Sequence, residues 1–274
     1  MYALALSIES VIIEYLTIYF VRISPIVLSS LSITLSGIML LSVACIITKN
    51  YKDLLKIFTK SWKSLLMASL SLSLGIFTWY DSINRIGASK EALIAGPIEI
   101  ILIVILARVF LNERLNKFQI IGICMGSLGF FLSLASDLSI DDINNVNLSN
   151  SIGEININSP PPAILSLVSF GDLEAILSAV GFAAGVLFLG KLVKKHSSIH
   201  VAGASMFVSG LILVVFMVLV LLYDTMSTTM QDLDESPSQI ESLSIHRNIV
   251  ILFLFSLIPF IGSLSYVIGL RRIG

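Results

Sequence analysis

The chain alternates between long apolar runs and short polar breaks. A helix needs about 20 mostly apolar residues to cross a bilayer. Eight stretches approach that length: residues 3–21, 25–47, 64–84, 91–111, 118–136, 173–193, 202–223 and 249–270. The first is the least regular, because Glu9 and Glu14 interrupt it. The pattern predicts an all-α, polytopic membrane helix bundle. Two of the breaks are long. Residues 137–171 are rich in Asn, Ser and Asp and contain Pro160, Pro161 and Pro162. Such a stretch has too few apolar side chains to bury a core, and a mobile linker is expected. Residues 224–247 read the same way, with Asp232, Asp234, Glu235 and Glu241. Residues 49–63 differ. Lys49, Lys52, Lys56, Lys60 and Lys63 recur there among Leu54, Leu55, Ile57, Phe58 and Trp62. That pattern predicts an amphipathic segment lying at the membrane surface.

Composition supports the bilayer as solvent. The chain is 56% hydrophobic and only 13% charged, with a mean hydropathy of +0.96. Soluble domains carry about 25% charged residues, so a soluble protein of this make-up would lack a polar surface. The net charge of −1 comes with no basic stripe, which argues against nucleic acid as a partner. The N-terminus lacks the basic region and cleavage site of a signal peptide, so the first run is expected to be retained as a helix.

The distribution of cations orients the chain. With the N-terminus cytoplasmic, thirteen fall inside: the five lysines of 49–63, Arg108, Arg114, Lys117, Lys191, Lys194, Lys195, Arg271 and Arg272. Only Arg22, Arg85, Lys90 and Arg247 fall outside, together with both long acidic connections. A multi-pass cell-membrane protein with external segments 137–171 and 224–247 is expected.

The halves of the chain echo each other. Arg22-Ile-Ser-Pro-Ile26 and Ser36-Gly37 align without gaps with Lys195-His-Ser-Ser-Ile199 and Ser209-Gly210, a displacement of 173 residues (210 minus 37). Gly75 and Asn84-Arg-Ile-Gly87 align with Gly262 and Arg271-Arg-Ile-Gly274, a displacement of 187 (274 minus 87). Five spans separate the equivalents, so the two copies enter the membrane in opposite senses. Inverted repeats are a recurrent plan of secondary transporters, with the substrate site between the halves.

Residues 79–134 carry an ordered set of motifs: Asn84-Arg-Ile-Gly-Ala-Ser89, Ala92-Leu-Ile-Ala-Gly-Pro97, Leu111-Asn-Glu-Arg-Leu115, then Gln119, Gly122 and Gly129. This set resembles the EamA-type drug/metabolite transporter family. Gly171-Asp172-Leu173 is similar to the start of that family's second repeat. The first span lacks the family's Trp-Gly, and the second offers Ser29, Ser30 and Ser32 where an arginine is frequent. The resemblance implies three parts. Residues 1–136 would form a first repeat of five spans, 137–170 an external linker, and 171–274 a partial second repeat of three spans. It implies ten spans where this sequence supplies eight, so the chain reads as a fragment or a shortened product.

Ionisable groups inside a membrane cost roughly 2.5–3.5 kcal/mol each on insertion scales and ask for an explanation. Glu14 lies well inside the first run and Glu9 nearer its edge. Glu99 lies mid-helix, two residues after Pro97, which frees a carbonyl and suits a kink lining a cavity. Glu91 precedes Glu99 by eight residues, about 80° apart at 100° per residue, so both can face one cavity. Glu14, Glu91, Pro97 and Glu99 are the candidate substrate- or ion-binding residues; the bland alternative is a carboxylate paired with a helix end or a polar neighbour. Asp81, Arg85 and Lys90 are expected to pair at the outer rim, and Trp79 and Tyr80 to belong to an interfacial aromatic belt. Glu113 and Arg114 are expected to set a turn. Gly122-x-x-x-Gly126 and Gly181-x-x-x-Gly185 suit close helix packing. Cys45 and Cys124 read as small buried hydrophobes, and His196, His200 and His246 as interfacial residues. No metal-ligand spacing, phosphate loop or catalytic triad is present, so no cofactor, metal or enzymatic role is expected. The expected function is secondary transport of a small organic metabolite, as permease or exporter, by alternating access, with the carboxylates able to couple it to protons. The alternative is a truncated, non-transporting membrane interaction protein. The expected partners are the lipid bilayer, a small-molecule substrate and a second copy in a homodimer.

Overall fold

The computed structural model describes residues 2–20, 23–48, 51–111, 121–122, 124–129, 132, 169–231 and 242–273. The elements are helices: α1 (Tyr2–Glu14, continued by a π-helix, Tyr15–Phe20), α2 (Pro25–Thr48), α3 (Tyr51–Lys60), α4 (Trp62–Ile86), α5 (Ala88–Leu111), α6 (Phe170–Val193), α7 (Ser198–Gln231) and α8 (Ser242–Ile273). Among the described residues there is no strand. Four helices are long and apolar enough to cross a membrane: Pro25–Thr48, Ala88–Phe110, Phe170–Val193 and Ser198–Tyr223. The chain is an all-α polytopic membrane bundle.

Local chemistry sets the boundaries. Pro25, whose missing N–H is harmless in a first turn, opens α2. Gly87 separates α4 from α5 at φ 82°, a left-handed conformation that favours glycine. Ser169 and Asp172 form a capping box on α6, with Ser169 N–H donating to Asp172 at 2.8 Å. The amphipathic 49–63 segment forms α3, with Ile57 buried and Leu55, Phe58 and Trp62 exposed beside the lysines.

Several expectations change. Residues 224–247 are not a polar loop throughout: α7 runs on to Gln231 and α8 starts at Ser242. The stretch 224–231 contains no Gly or Pro, and adding residues to an existing helix needs no new nucleation. Cys45 and Cys124 are exposed rather than buried, because the outer face of a membrane helix is as apolar as its inner face. Residues 137–168 lie outside the described residues, as do Glu113 and Arg114.

Small residues set the packing. The main contacts are α4 with α6 and α2 with α7. A Cβ on Gly181 would come within 2.6 Å of Gly75 N, so the backbones of α4 and α6 touch. On α2 and α7, a Cβ on Gly37 would meet Phe207 N at 2.5 Å, and one on Gly210 would meet Thr34 Cα at 2.6 Å. These two contacts exchange under the 173-residue displacement (207 minus 34, 210 minus 37). Hydrogen bonds repeat the relation. Ser36 Oγ donates to Ser256 O at 2.6 Å, and Ser209 Oγ donates to Ser69 O at 3.0 Å. Ser36 and Ser209 differ by 173, and Ser69 and Ser256 by 187, the two displacements read from the sequence echo.

Candidate functional site

Two neighbouring aromatic residues of α4 hold carboxyl groups from two other helices. Tyr80 Oη donates to Glu9 Oε1 of α1 at 3.0 Å, and Trp79 Nε1 donates to Glu91 Oε2 of α5 at 3.1 Å. Consecutive helical residues point about 100° apart, so one short stretch of α4 serves both flanks. The Tyr80 hydroxyl also lies 3.4 Å from Ser32 Oγ of α2. Glu9 is 2% exposed, Glu91 3% and Tyr80 0%. Rings close the cluster edge-to-face: Trp79 with Phe182 of α6 at 5.9 Å, and Tyr80 with Phe255 of α8 at 6.4 Å. The site therefore joins α1, α2, α4 and α5 to α6 and α8. Among the described residues, no cation pairs with Glu9 or Glu91.

Glu14 sits at the end of the bundle. Its Oε2 accepts from Ala88 N at 3.1 Å and so caps the N-terminus of α5, where free N–H groups favour a negative charge. Glu9 lies five residues earlier on α1, roughly 7.5 Å at about 1.5 Å per residue. Relative to the α4–α5 turn, Glu9 is thus the deeper of the two, the reverse of the order expected. The π-helix that follows Glu14 contributes Thr17 and Ile18 to a recess of about 460 Å³, completed by Ile23, Ser24, Pro25 and Asn84.

Glu99 is partly buried on α5, eight residues after Glu91 and so about 12 Å further along the helix axis. Pro97 is accommodated inside a continuous α5. Glu91 and Glu99 thus share one helix, while Glu14 lies on α1 and reaches the α5 cap. Tyr80 was expected in an interfacial belt but is fully buried. The helix continues to Ile86, so Tyr80 lies six residues inside its end. Glu9, Tyr80, Trp79 and Ser32 together form the part of the site that spacing alone did not assemble. The usable signal was the pair Trp79-Tyr80 directly preceding the rim residue Asp81.

An ionic group closes this end. Arg85 Nε lies 3.0 Å from both Asp81 Oδ2 and Glu174 Oε2, and Lys90 Nζ lies 3.0 Å from Asp172 Oδ1. The rim residues thus pair with each other and with α6. Gly181 and Gly185 pack on Gly75 and Leu72, whereas Gly122 and Gly126 have no neighbour within 4 Å among the described residues. His196 and His200 meet at the opposite end of the bundle; the side chain of His246 lies outside the described residues. Among the described residues, no group of three or more His, Cys, Asp or Glu side chains is placed to hold a metal ion.

No curated protein and no solved structure matches the chain. A family model does: that of the EamA-like transporter family matches residues 2–135, the segment that supplies Glu9, Glu14, Ser32, Trp79, Tyr80, Glu91 and Glu99. That family is one of membrane transporters of the drug/metabolite type, not of enzymes. Over residues 2–135, the chain is similar to the EamA-like transporter family.

Proposed function

We propose that this protein carries a small organic metabolite across the membrane by alternating access, and that the carboxyl groups of α1 and α5 exchange protons as it does so. The observation that carries the reading is the pair of buried carboxyl groups, Glu9 and Glu91, each held by an uncharged donor of α4 where the two halves of the chain meet. A carboxyl so placed can hold or give up a proton without breaking an ion pair. Glu99 and Pro97 extend the path along α5, and Glu14 sets the position of the α5 N-terminus beside it. In this reading residues 1–136 and 171–274 are inverted repeats joined by 137–170. The paired serine and glycine contacts at displacements of 173 and 187 support that division. The N-terminus is cytoplasmic, on the strength of thirteen cations against four.

The test is metabolite counterflow into vesicles reconstituted with the full chain, measured with and without a pH gradient. Uptake of at least one organic solute should respond to the gradient. Glu9→Gln and Glu99→Gln should keep the fold and flatten that response, because glutamine preserves shape and removes titration; Glu14→Gln should do so more weakly. Uptake with an unchanged pH profile in both Glu9→Gln and Glu99→Gln would remove the proton-coupling part of the proposal. A complete lack of solute movement would remove the transport part.

A further inference from the structure

The side chains of α3 point three ways. At about 100° per residue, Asp53, Leu54 and Ile57 fall in one sector, Lys52, Lys56 and Lys60 in a second, and Leu55 and Phe58 in a third, with centres roughly 110–130° apart. The first sector faces the bundle. Ile57 is fully buried and clusters with Leu65, Leu192 and Val201, and Leu54 packs against them. Asp53 accepts from Ser197 N–H at the α6–α7 turn at 3.1 Å and lies 3.0 Å from His196 Nδ1. These contacts fix α3 about its own axis, so the other two sectors face outward.

Both outward sectors are uncovered. Leu55 is 56% exposed, Phe58 is exposed, and Trp62, the first residue of α4, is 50% exposed. Lys52, Lys56 and Lys60 are exposed and recur every four residues over about 12 Å of helix. Lys63 of α4 is exposed too, as are Lys194 and Lys195 of the turn that Asp53 holds. Opposing charge is scarce. Asp53 is the only acidic residue between positions 15 and 80, and the turn takes up its carboxylate. Among the described residues, no carboxylate pairs with Lys52, Lys56 or Lys60.

We propose that α3 is a docking surface for the anionic phospholipid headgroups of the surrounding bilayer, with Leu55, Phe58 and Trp62 among the acyl chains and Lys52, Lys56 and Lys60 on the phosphates. Charge complementarity and the apolar strip together select this partner. A soluble polyanion or an acidic protein would engage the lysines and leave Leu55, Phe58 and Trp62 in water. A bilayer interface supplies apolar chains and phosphates in adjoining layers, the order in which the two strips lie on the helix. Lysine stems reach from the apolar level to the headgroups. Each cation at an anionic leaflet adds to the attraction, which decays within a Debye length. The helix therefore does more than lie at the surface: it selects the lipids that border this end of the bundle. The proposal depends neither on transport nor on which side of the membrane α3 occupies.

The experiment places the full chain in phosphatidylcholine nanodiscs, with Cys45→Ser and Cys124→Ser removing the native thiols. One fluorophore is attached through Thr59→Cys, an exposed position between the two strips, or through Leu222→Cys, about 36 Å along α7 from its start. Quenching is compared for equal small fractions of brominated phosphatidylglycerol and brominated phosphatidylcholine. At Thr59→Cys the anionic lipid should be enriched about fivefold, and the enrichment should fall toward parity in about 1 M salt. At Leu222→Cys no such preference should appear. Replacing Lys52, Lys56 and Lys60 together by Gln should abolish the enrichment, and replacing the same three by Arg should keep it. Equal quenching at Thr59→Cys, a preference that survives the three Gln substitutions, or one lost with Arg overturns the proposal. So does an equal preference at Leu222→Cys. A fluorophore that ignores lipid charge but responds to soluble heparin also overturns it, because the lysines then serve a soluble polyanion.

Discussion

The α4·α6 and α1·α8 contacts are built from opposite materials. The sequence echo makes α4 the counterpart of α8, through Gly75 and Gly262. α6 meets α4 and α5 with Ala175, Ala179, Gly181 and Gly185, and the backbones of α4 and α6 touch at Gly75 and Gly181. α1 contains no glycine at all. It meets α8 through large side chains, with Ile13 and Leu16 in one cluster with Leu252 and Phe255. It also carries Glu9 and Glu14 and ends in a π-helix, a form enriched at functional sites. Backbone contact leaves no space to rearrange. Contact through rotatable side chains leaves room for buried carboxyl groups and for change. The first surface therefore holds the bundle together, and the second leaves room beside it for Glu9 and Glu14.

This contrast can be broken most directly at Gly181. Gly181→Val places a Cβ and two methyl groups against backbone that cannot move aside. Such overpacking should cost about 3 kcal/mol or more, seen as a large fall in melting temperature in detergent. A parent-like melt would show that the α4·α6 contact is not rigid. The next largest effect is expected at Tyr80. Tyr80→Phe removes the described donor of Glu9 and should destabilise by about 1–3 kcal/mol. Combining it with Glu9→Leu should recover most of that loss, since removing both partners is far cheaper than removing one; additive losses would show that the pair is not coupled. Arg85→Met, at a half-exposed rim residue, should cost about 1 kcal/mol at low salt and less at high salt. An effect insensitive to salt would locate its cause in packing on Phe170 instead. Smallest is Gly96→Ala. Among the described residues, nothing beyond its own stretch of helix lies within 4 Å of a Cβ there, and relief of glycine's helix penalty should stabilise by roughly 0.5–1 kcal/mol.

The apolar runs made the bundle legible, because spanning length and composition are properties of single segments. The runs at 25–47 and 173–193 became α2 and α6 within a few residues. The amphipathic lysine segment was equally readable as α3. The displacements of 173 and 187 went further and matched contacts between helices distant in sequence. What stayed hidden was three-dimensional. Helical spacing placed Glu91 and Glu99 on related faces, but nothing in α1 marked Glu9 as the partner of Tyr80 71 residues away. Glu14, read as lying well inside its helix, reaches a helix end because α1 meets the α4–α5 turn there. His200 looked interfacial because it flanks an apolar run, yet the fold encloses it between α2 and α3.

The glycine crossing of α2 and α7 has a mechanical meaning. Gly37 stands 12 residues from Pro25 and 11 from Thr48, the middle of α2. Points on an axis stay still when bodies turn about it, while distant points sweep in proportion to their radius. Each arm of α2 is roughly 18 Å long at about 1.5 Å per residue, so a turn of about 10° at the crossing would carry its tips roughly 3 Å in opposite directions. The crossing itself would keep its closest contacts unchanged. Any bulk added at Gly37 or Gly210 would therefore jam the lever at its fulcrum rather than at its ends.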